Sequence, residues 1–181
     1  MANIVYIAAS LDGFIARNDG NVDWLNEIPN PEGSDYGFGE FIRRIDAVVM
    51  GRKTFEIVLS FGGWPYTKPV FVLSTALTSL PKRTAGKAEI IKGKPGAVVR
   101  ELNSRGYKNL YIDGGKTIQA FLKEDLIDEI ILTRIPVLLG KGIPLFGELK
   151  DEQKYEHKET VVFNNALVKS SYIRVKSAGS A

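Results

Sequence analysis

The chain has 181 residues, 44% hydrophobic and 25% charged, enough for one domain to bury a core without metal or disulfide support. With no cysteine and a single histidine, His157, it has no thiol chemistry and little from which to build a metal centre or a histidine-based serine triad. A net charge of +3 without a long basic run argues against nucleic acid, and no apolar stretch approaches the roughly 20 residues of a membrane span, so a soluble, cytoplasmic protein without a secretory signal is expected.

Asn3 to Ala9 reads as a strand that ends in Ser10-Leu11-Asp12-Gly13-Phe14-Ile15-Ala16, where Asp-Gly marks a turn between two apolar pieces. Arg17 to Ser34 is a long loop rich in Asn, Asp, Gly and Pro, pinned by Trp24 and Leu25. Phe38, Phe41 and Ile42 give Asp35 to Arg44 a helical spacing that Gly37 and Gly39 weaken. Strands recur at Ala47 to Met50, Val70 to Ser74, Ala88 to Lys92 and Asn109 to Ile112, with helical segments between them, and this alternation predicts an α/β domain. Gly96 to Arg105 is one such helix, stopped by Gly106, and Ile118 to Leu122 belongs to another. Glu129 to Leu139 is β-rich. Thr160 to Phe163 with Leu167 to Val175 predicts a hairpin around Asn164-Asn165, so the sheet finishes antiparallel. A single domain over residues 1–176 is expected, with 177–181 as a frayed tail.

Two junctions carry chemistry. Gly51-Arg52-Lys53-Thr54 follows the apolar Ala47-Val48-Val49-Met50 and opens a helix, where backbone amides and fixed cations together hold an anion. Asp113-Gly114-Gly115-Lys116-Thr117 repeats the pattern after Leu110-Tyr111-Ile112, and two phosphate sites on one chain point to a dinucleotide. A nucleoside-triphosphate loop is disfavoured because its first glycine would fall on Leu110, inside a strand. The ordinary dinucleotide fingerprint is disfavoured too, since Gly140-Lys141-Gly142 lacks the third glycine. The bland alternative is that these glycines and basic residues only cap helices.

The motifs in chain order are Ala8-Ala9-Ser10-Leu11-Asp12-Gly13, Asp23-Trp24-Leu25, Val49-Met50-Gly51-Arg52-Lys53-Thr54, Val72-Leu73-Ser74-Thr75, Ile112-Asp113-Gly114-Gly115, Leu132-Thr133-Arg134 and Leu139-Gly140-Lys141-Gly142-Ile143-Pro144-Leu145-Phe146. Together they resemble the dihydrofolate-reductase-like superfamily, and within it the reductase domain of the riboflavin-biosynthesis deaminase-reductases and their stand-alone relatives. The resemblance runs from Asn3 to Val175. It implies a mixed, mostly parallel sheet with helices on both faces and a C-terminal antiparallel hairpin, together with NADPH as cofactor and a homodimer.

Site residues follow from the same resemblance. Gly51, Arg52, Lys53 and Thr54 would meet the bridging and ribose phosphates, with Ser74 and Thr75 at the 2′-phosphate and Lys92 as a further cation. Gly114, Gly115, Lys116 and Thr117 would pass under the pyrophosphate, and a side chain at either glycine would block that approach. Ala8, Ala9 and Ile15 would border the nicotinamide. Trp24, Phe38, Phe41 and Thr133 would line the substrate cavity, with core packing the alternative for the two phenylalanines.

Asp113 before a glycine pair looks like the riboflavin-type enzymes, where folate reductases carry a third glycine. Asp12 resembles their substrate-side aspartate and is otherwise a turn residue. Folate reductases place a carboxylate in the first helix, and Asp35 is the candidate for that acid, with a helix N-cap as its other reading. Asp12 and Asp35 are thus the candidate catalytic groups. The expected activity is NADPH-dependent hydride transfer to a heterocycle, foremost 5-amino-6-(5-phosphoribosylamino)uracil, with dihydrofolate reduction and a non-catalytic NADPH-binding sensor or interaction module as alternatives.

Overall fold

The apolar run from the N-terminus forms β1 (Ala2–Ser10), and the Asp-Gly turn after it leads into the short β2 (Phe14–Ala16). α1 (Phe38–Arg43) follows the long loop and is shorter than its spacing predicts, because Gly37 sits at φ 88 and only the residues after it are helical. The expected alternation then runs through β3 (Ala47–Gly51), α2 (Arg52–Ser60), β4 (Val70–Leu73), β5 (Ala88–Ile91), α3 (Pro95–Ser104), β6 (Asn109–Asp113), α4 (Gly115–Lys123) and β7 (Glu129–Ile135). Pro136, which has no amide hydrogen, ends β7 short of the expected Leu139. β8 (Ile143–Pro144), β9 (Tyr155–Phe163) and β10 (Leu167–Arg174) complete the chain. This computed structural model describes residues 1–176; the tail expected at 177–181 lies outside the described residues.

Eight strands form one sheet in the order β5-β4-β3-β6-β1-β7-β10-β9, and β2 pairs with β8 in a separate two-stranded ribbon. The six strands from β5 to β7 are parallel, and β10 joins β7 antiparallel before turning back as β9. Asn164 and Asn165 both take positive φ at that last turn, the geometry a tight hairpin demands. α3 and α4 bury Val98, Leu102, Ile118 and Phe121 against one face of the sheet. On the other face α1 and α2 bury Phe41, Ile42, Phe55 and Val58.

A third cluster pins the long loop. Asp23–Glu27 is a 3-10 turn that delivers Trp24 to Ile135 and Leu167, with Tyr36, Val137 and Phe163 around them. Trp24 is 1% exposed and its Nε1 has no hydrogen-bond partner. The indole is thus an anchor for the loop, and it offers no surface to a substrate cavity. Trp24→Ala should cost about 3–5 kcal/mol in chemical denaturation. Trp24→Phe should cost less than about 1.5 kcal/mol, because the smaller ring also removes a buried, unpaired N–H.

Candidate active site

β3 and β6 are neighbours, with Met50 opposite Asp113, so their C-terminal ends lie side by side. The helices that follow go to opposite faces, α2 to one and α4 to the other. Connections that diverge in this way open a crevice beyond the strand ends, the usual ligand position in an open α/β sheet. The two loops touch: a Cβ at Gly114 would lie 2.1 Å from Thr54 Oγ1, and one at Gly51 would lie 2.9 Å from Thr117 Oγ1. Gly114 also has φ 87. A Cβ at Gly115 would meet Ile15 Cδ1 at 2.7 Å. Gly114 and Gly51 are therefore crowded by protein segments, Gly114 with a positive φ as well, whereas the close contact at Gly115 is with the flexible end of Ile15. Neither α2 nor α4 has a side-chain cap, so both helices begin at the joined strand ends with their first amides uncapped.

Cations and hydroxyls stand along the same strand ends. Arg52 and Lys53 are exposed on the first turn of α2, with Arg52 in an ion pair to Glu56 at 3.1 Å, and Lys116 is exposed on α4. After β4 the buried Ser74 hydroxyl accepts the amides of Ala76 and Leu77, Thr75 is exposed beside it, and Lys92 is exposed after β5. Ala8 is half-buried on the α1/α2 side of β1, whereas Ala9 is wholly buried under α3 and α4.

The turn after β1 is bound down. Asp12 accepts the Ser10 hydroxyl at 2.5 Å and the amide of Leu139 at 3.2 Å on Oδ1, and the amide of Gly140 at 2.7 Å on Oδ2. The Ser10 hydroxyl chiefly, with those amides, holds the Asp12 carboxyl below its ordinary value. Arg134 donates to the carbonyls of Ser10 and Leu11, and the β2·β8 pairing continues the same seam. Asp12 is thus a clasp between two loops, with both oxygens committed to protein. Asp35 is likewise committed: it is exposed, and its two oxygens accept the amides of Gly37 and Gly39, which lower its pKa. Asp35 thus braces the turn two residues before the Gly37 N-cap and is not itself the expected cap, and a proton donor needs the opposite shift.

Facing α1 and α2, the sheet presents a floor of polar and aromatic groups. Ala8 lies opposite Thr133 on β7, and Thr133 lies opposite Lys169 on β10, so the three side chains share one row and one face. Tyr6, two residues before Ala8 on the same face, stacks on Phe41 at 4.6 Å and meets Phe38 edge-on at 5.6 Å. Phe41 is 3% exposed beneath it, so the half-buried Phe38 and Tyr6 present the aromatic surface, and Phe41 supports them. Burial first, and Asp35 second, push the Tyr6 hydroxyl up to about 12.

At the inner end of this floor Asp113 accepts the Tyr66 hydroxyl at 3.2 Å and the Gly114 amide at 2.8 Å. Burial raises its pKa against those bonds. Asp113, Tyr66, Tyr6 and Lys169 carry no site role in the sequence reading. The available signal was an acid closing an apolar strand and a tyrosine inside one; Lys169 and Tyr66 give no local sign, since strand register brings the first to this face and a loop contact the second.

A family model described as the RibD C-terminal domain matches residues 3–169. The chain is 40% identical over 174 residues to the uncharacterized protein YwjB of Bacillus subtilis (strain 168), covering 94% of this chain and 97% of that one. Among solved structures it resembles a putative riboflavin biosynthesis protein from Shewanella sp. PV-4, with 50% identity, a TM-score of 0.94, and coverage of 97% of this chain and 100% of that one. It also superposes with a TM-score of 0.73 on a diaminohydroxyphosphoribosylaminopyrimidine deaminase/5-amino-6-(5-phosphoribosylamino)uracil reductase from Thermotoga maritima. Identity there is 16%, over 96% of this chain and 56% of the other, a likeness of fold. The fold is the dihydrofolate-reductase-like one that the motifs imply.

The loop contact can be tested by compensation. Gly51→Ala should lower stability by about 1–3 kcal/mol, and Thr117→Ala should restore most of it, because φ at Gly51 is −79 and only the clash is at fault. Gly114→Ala should not be rescued by Thr54→Ala, since its positive φ remains strained. The clasp has a pH signature. Asp12 sits below its ordinary value of 3.8, so its bonds stabilise above that value and are lost as pH falls through the lowered one. The melting-temperature difference between wild type and Asp12→Asn should therefore be full near about pH 6 and shrink toward about pH 2.

Proposed function

We propose that this chain, which belongs to the RibD C-terminal domain family, is an NADPH-dependent reductase of a heterocyclic substrate, with 5-amino-6-(5-phosphoribosylamino)uracil foremost. The observation that carries the reading is the contact between the Gly51 and Gly114 loops, which sets two helix starts without side-chain caps on one crevice. A pyrophosphate matches that arrangement, since it needs several converging N–H donors and tolerates no intervening side chain.

Arg52, Lys53 and Thr54 would hold the bridging and ribose phosphates, Lys116 and Thr117 the pyrophosphate from the other side, and Ser74, Thr75 and Lys92 would add to the end carrying the extra phosphate. Bound there, NADPH supplies the hydride that an electrophilic carbon of the substrate accepts, the ribosylamino carbon in the pyrimidine case. Ala8 and Ile15 would border the ring, and the Asp12 clasp with the β2·β8 ribbon would hold that wall against water. The proton that balances the hydride is assigned to Asp113, the carboxyl on this face that burial favours in its protonated form.

The choice of substrate rests on the motif resemblance and on family membership. Dihydrofolate is a weaker choice because Asp35 spends both oxygens on backbone amides. A homodimer is part of the same reading, and equilibrium sedimentation at the mass of two chains would support it.

Loss of NADPH absorbance on adding the pyrimidine tests the proposal. Turnover of dihydrofolate alone would transfer the reading to folate, and tight NADPH binding with turnover of neither would leave a sensor. Arg52→Ala should raise the Kd for NADPH by about tenfold or more and that for NADH by less, because the guanidinium would bond directly to phosphate oxygens, of which NADPH has more. Equal weakening would remove Arg52 as a reader of the extra phosphate.

A further inference from the structure

We infer that Lys169 reads an anionic group of the substrate, a phosphate or carboxylate on the arm that extends across the sheet from the cofactor crevice. This rests on the proposed reductase site and assigns its substrate specificity. Three observations carry it. The first is position: Ala8, Thr133 and Lys169 form one lateral row on β1, β7 and β10, with Tyr6 as the neighbouring aromatic surface. From β6, which ends in Asp113, to β10 is three strand spacings, about 14 Å. That span accommodates a ring with an extended, phosphorylated five-carbon chain.

The second is the state of the ammonium. Lys169 is half-buried, and among the described residues its Nζ forms no ion pair within 4.0 Å. It donates one hydrogen bond, to the Tyr36 carbonyl at 2.8 Å, and lies 5.1 Å from the Phe163 ring and 6.0 Å from the Tyr6 ring. An ammonium has three N–H groups, so two remain for an acceptor, and a half-buried cation without a carboxylate partner has an anion as its natural complement. Asp35 acts on it only at longer range, its own oxygens being taken by amides.

The third is backbone strain. Tyr36 has φ 53, a costly conformation for an aromatic residue, and its carbonyl is thereby turned to meet both Lys169 Nζ and the Tyr6 hydroxyl at 3.0 Å. Gly37 follows, where a Cβ would come within 2.7 Å of Nζ. The chain before α1 thus holds a strained conformation that fixes the ammonium over the floor.

The probes are 5-amino-6-(5-phosphoribosylamino)uracil, its dephosphorylated ribosylamino form, and dihydrofolate with its carboxylate tail. Binding to the NADP⁺-loaded protein is measured by calorimetry and turnover with NADPH by absorbance. Wild type should prefer the phosphorylated over the dephosphorylated pyrimidine, or bind dihydrofolate in a Lys169-dependent way if carboxylate is the group read. Lys169→Met should remove that preference by about tenfold or more through Kd and KM, with kcat and NADPH affinity little changed, and Lys169→Arg should restore part of it. A preference that survives in Lys169→Met, or wild type that shows neither the phosphate preference nor Lys169-dependent binding of dihydrofolate, overturns the assignment. A brace for Tyr36 alone would lower the melting temperature of Lys169→Met without altering the ratio between the two pyrimidines, and that result overturns it too. Lys169-dependent binding without turnover would retain the assignment and discard the reductase reading.

Discussion

The site depends on one steric constraint: where β3 and β6 end side by side, there is no room for a side chain on the glycine that follows β6. Thr54 occupies the space a Gly114 Cβ would need, and Thr117 crowds Gly51 in return. Interlocked in this way, the two loops fix the starts of α2 and α4 to each other across the sheet edge. Neither helix is long, at nine residues each, and neither has a side-chain cap to define its first turn. Their orientation is set by this contact and by the core residues below it, Phe55 and Val58 on one face and Ile118 and Phe121 on the other. An anion placed between them would meet amides held by the packing of both faces.

The parallel half of the sheet was legible because its strands are buried on both faces and read as short apolar runs, with Val48, Val72 and Ile112 all at 0% exposure. The parts that were not legible obey other rules. β9 begins at Tyr155, five residues before the expected start, since Glu156, His157, Lys158 and Glu159 look like a solvated segment. As an edge strand with both faces exposed it needs no apolar alternation, and charge on an edge discourages pairing with another chain. The β2·β8 ribbon joins residues nearly the full domain apart in sequence, and its two-residue second strand contains a proline. No local pattern announces such a pair.

The candidate site divides along the same line. The two glycine loops are local objects, a strand end and the helix start after it, so consecutive residues reveal their geometry. The polar and aromatic floor is a product of register. Ala8, Thr133 and Lys169 come together because β1, β7 and β10 pair at those positions, and a slip of one residue in β10 would send Lys169 to the opposite face. Tyr66 reaches Asp113 from a loop 47 residues away. Trp24 shows the reverse error: an aromatic in a polar loop looks like a ligand contact, yet here its ring is consumed in fastening the loop to Ile135 and Leu167.

The three aspartates illustrate how environment, more than residue type, decides chemistry. Asp12 and Asp35 sit in turns at the surface, where the Ser10 hydroxyl and then backbone amides favour the charged form of Asp12, and backbone amides that of Asp35. Each stabilises a loop and lacks a proton to give at neutral pH. Asp113 has the same side chain at the end of a buried strand, receives a tyrosine hydroxyl and one amide, and is driven toward the neutral form by desolvation that outweighs both bonds. The opposite shifts separate the roles: the outer carboxylates shape the walls of the cavity, and the inner one is suited to hold a proton beside the glycine loop. Lys169 at the far side of the floor places an ammonium on β10 opposite the carboxyl on β6, the polarity by which the proposed site would orient a substrate with its anionic arm away from the glycine loops.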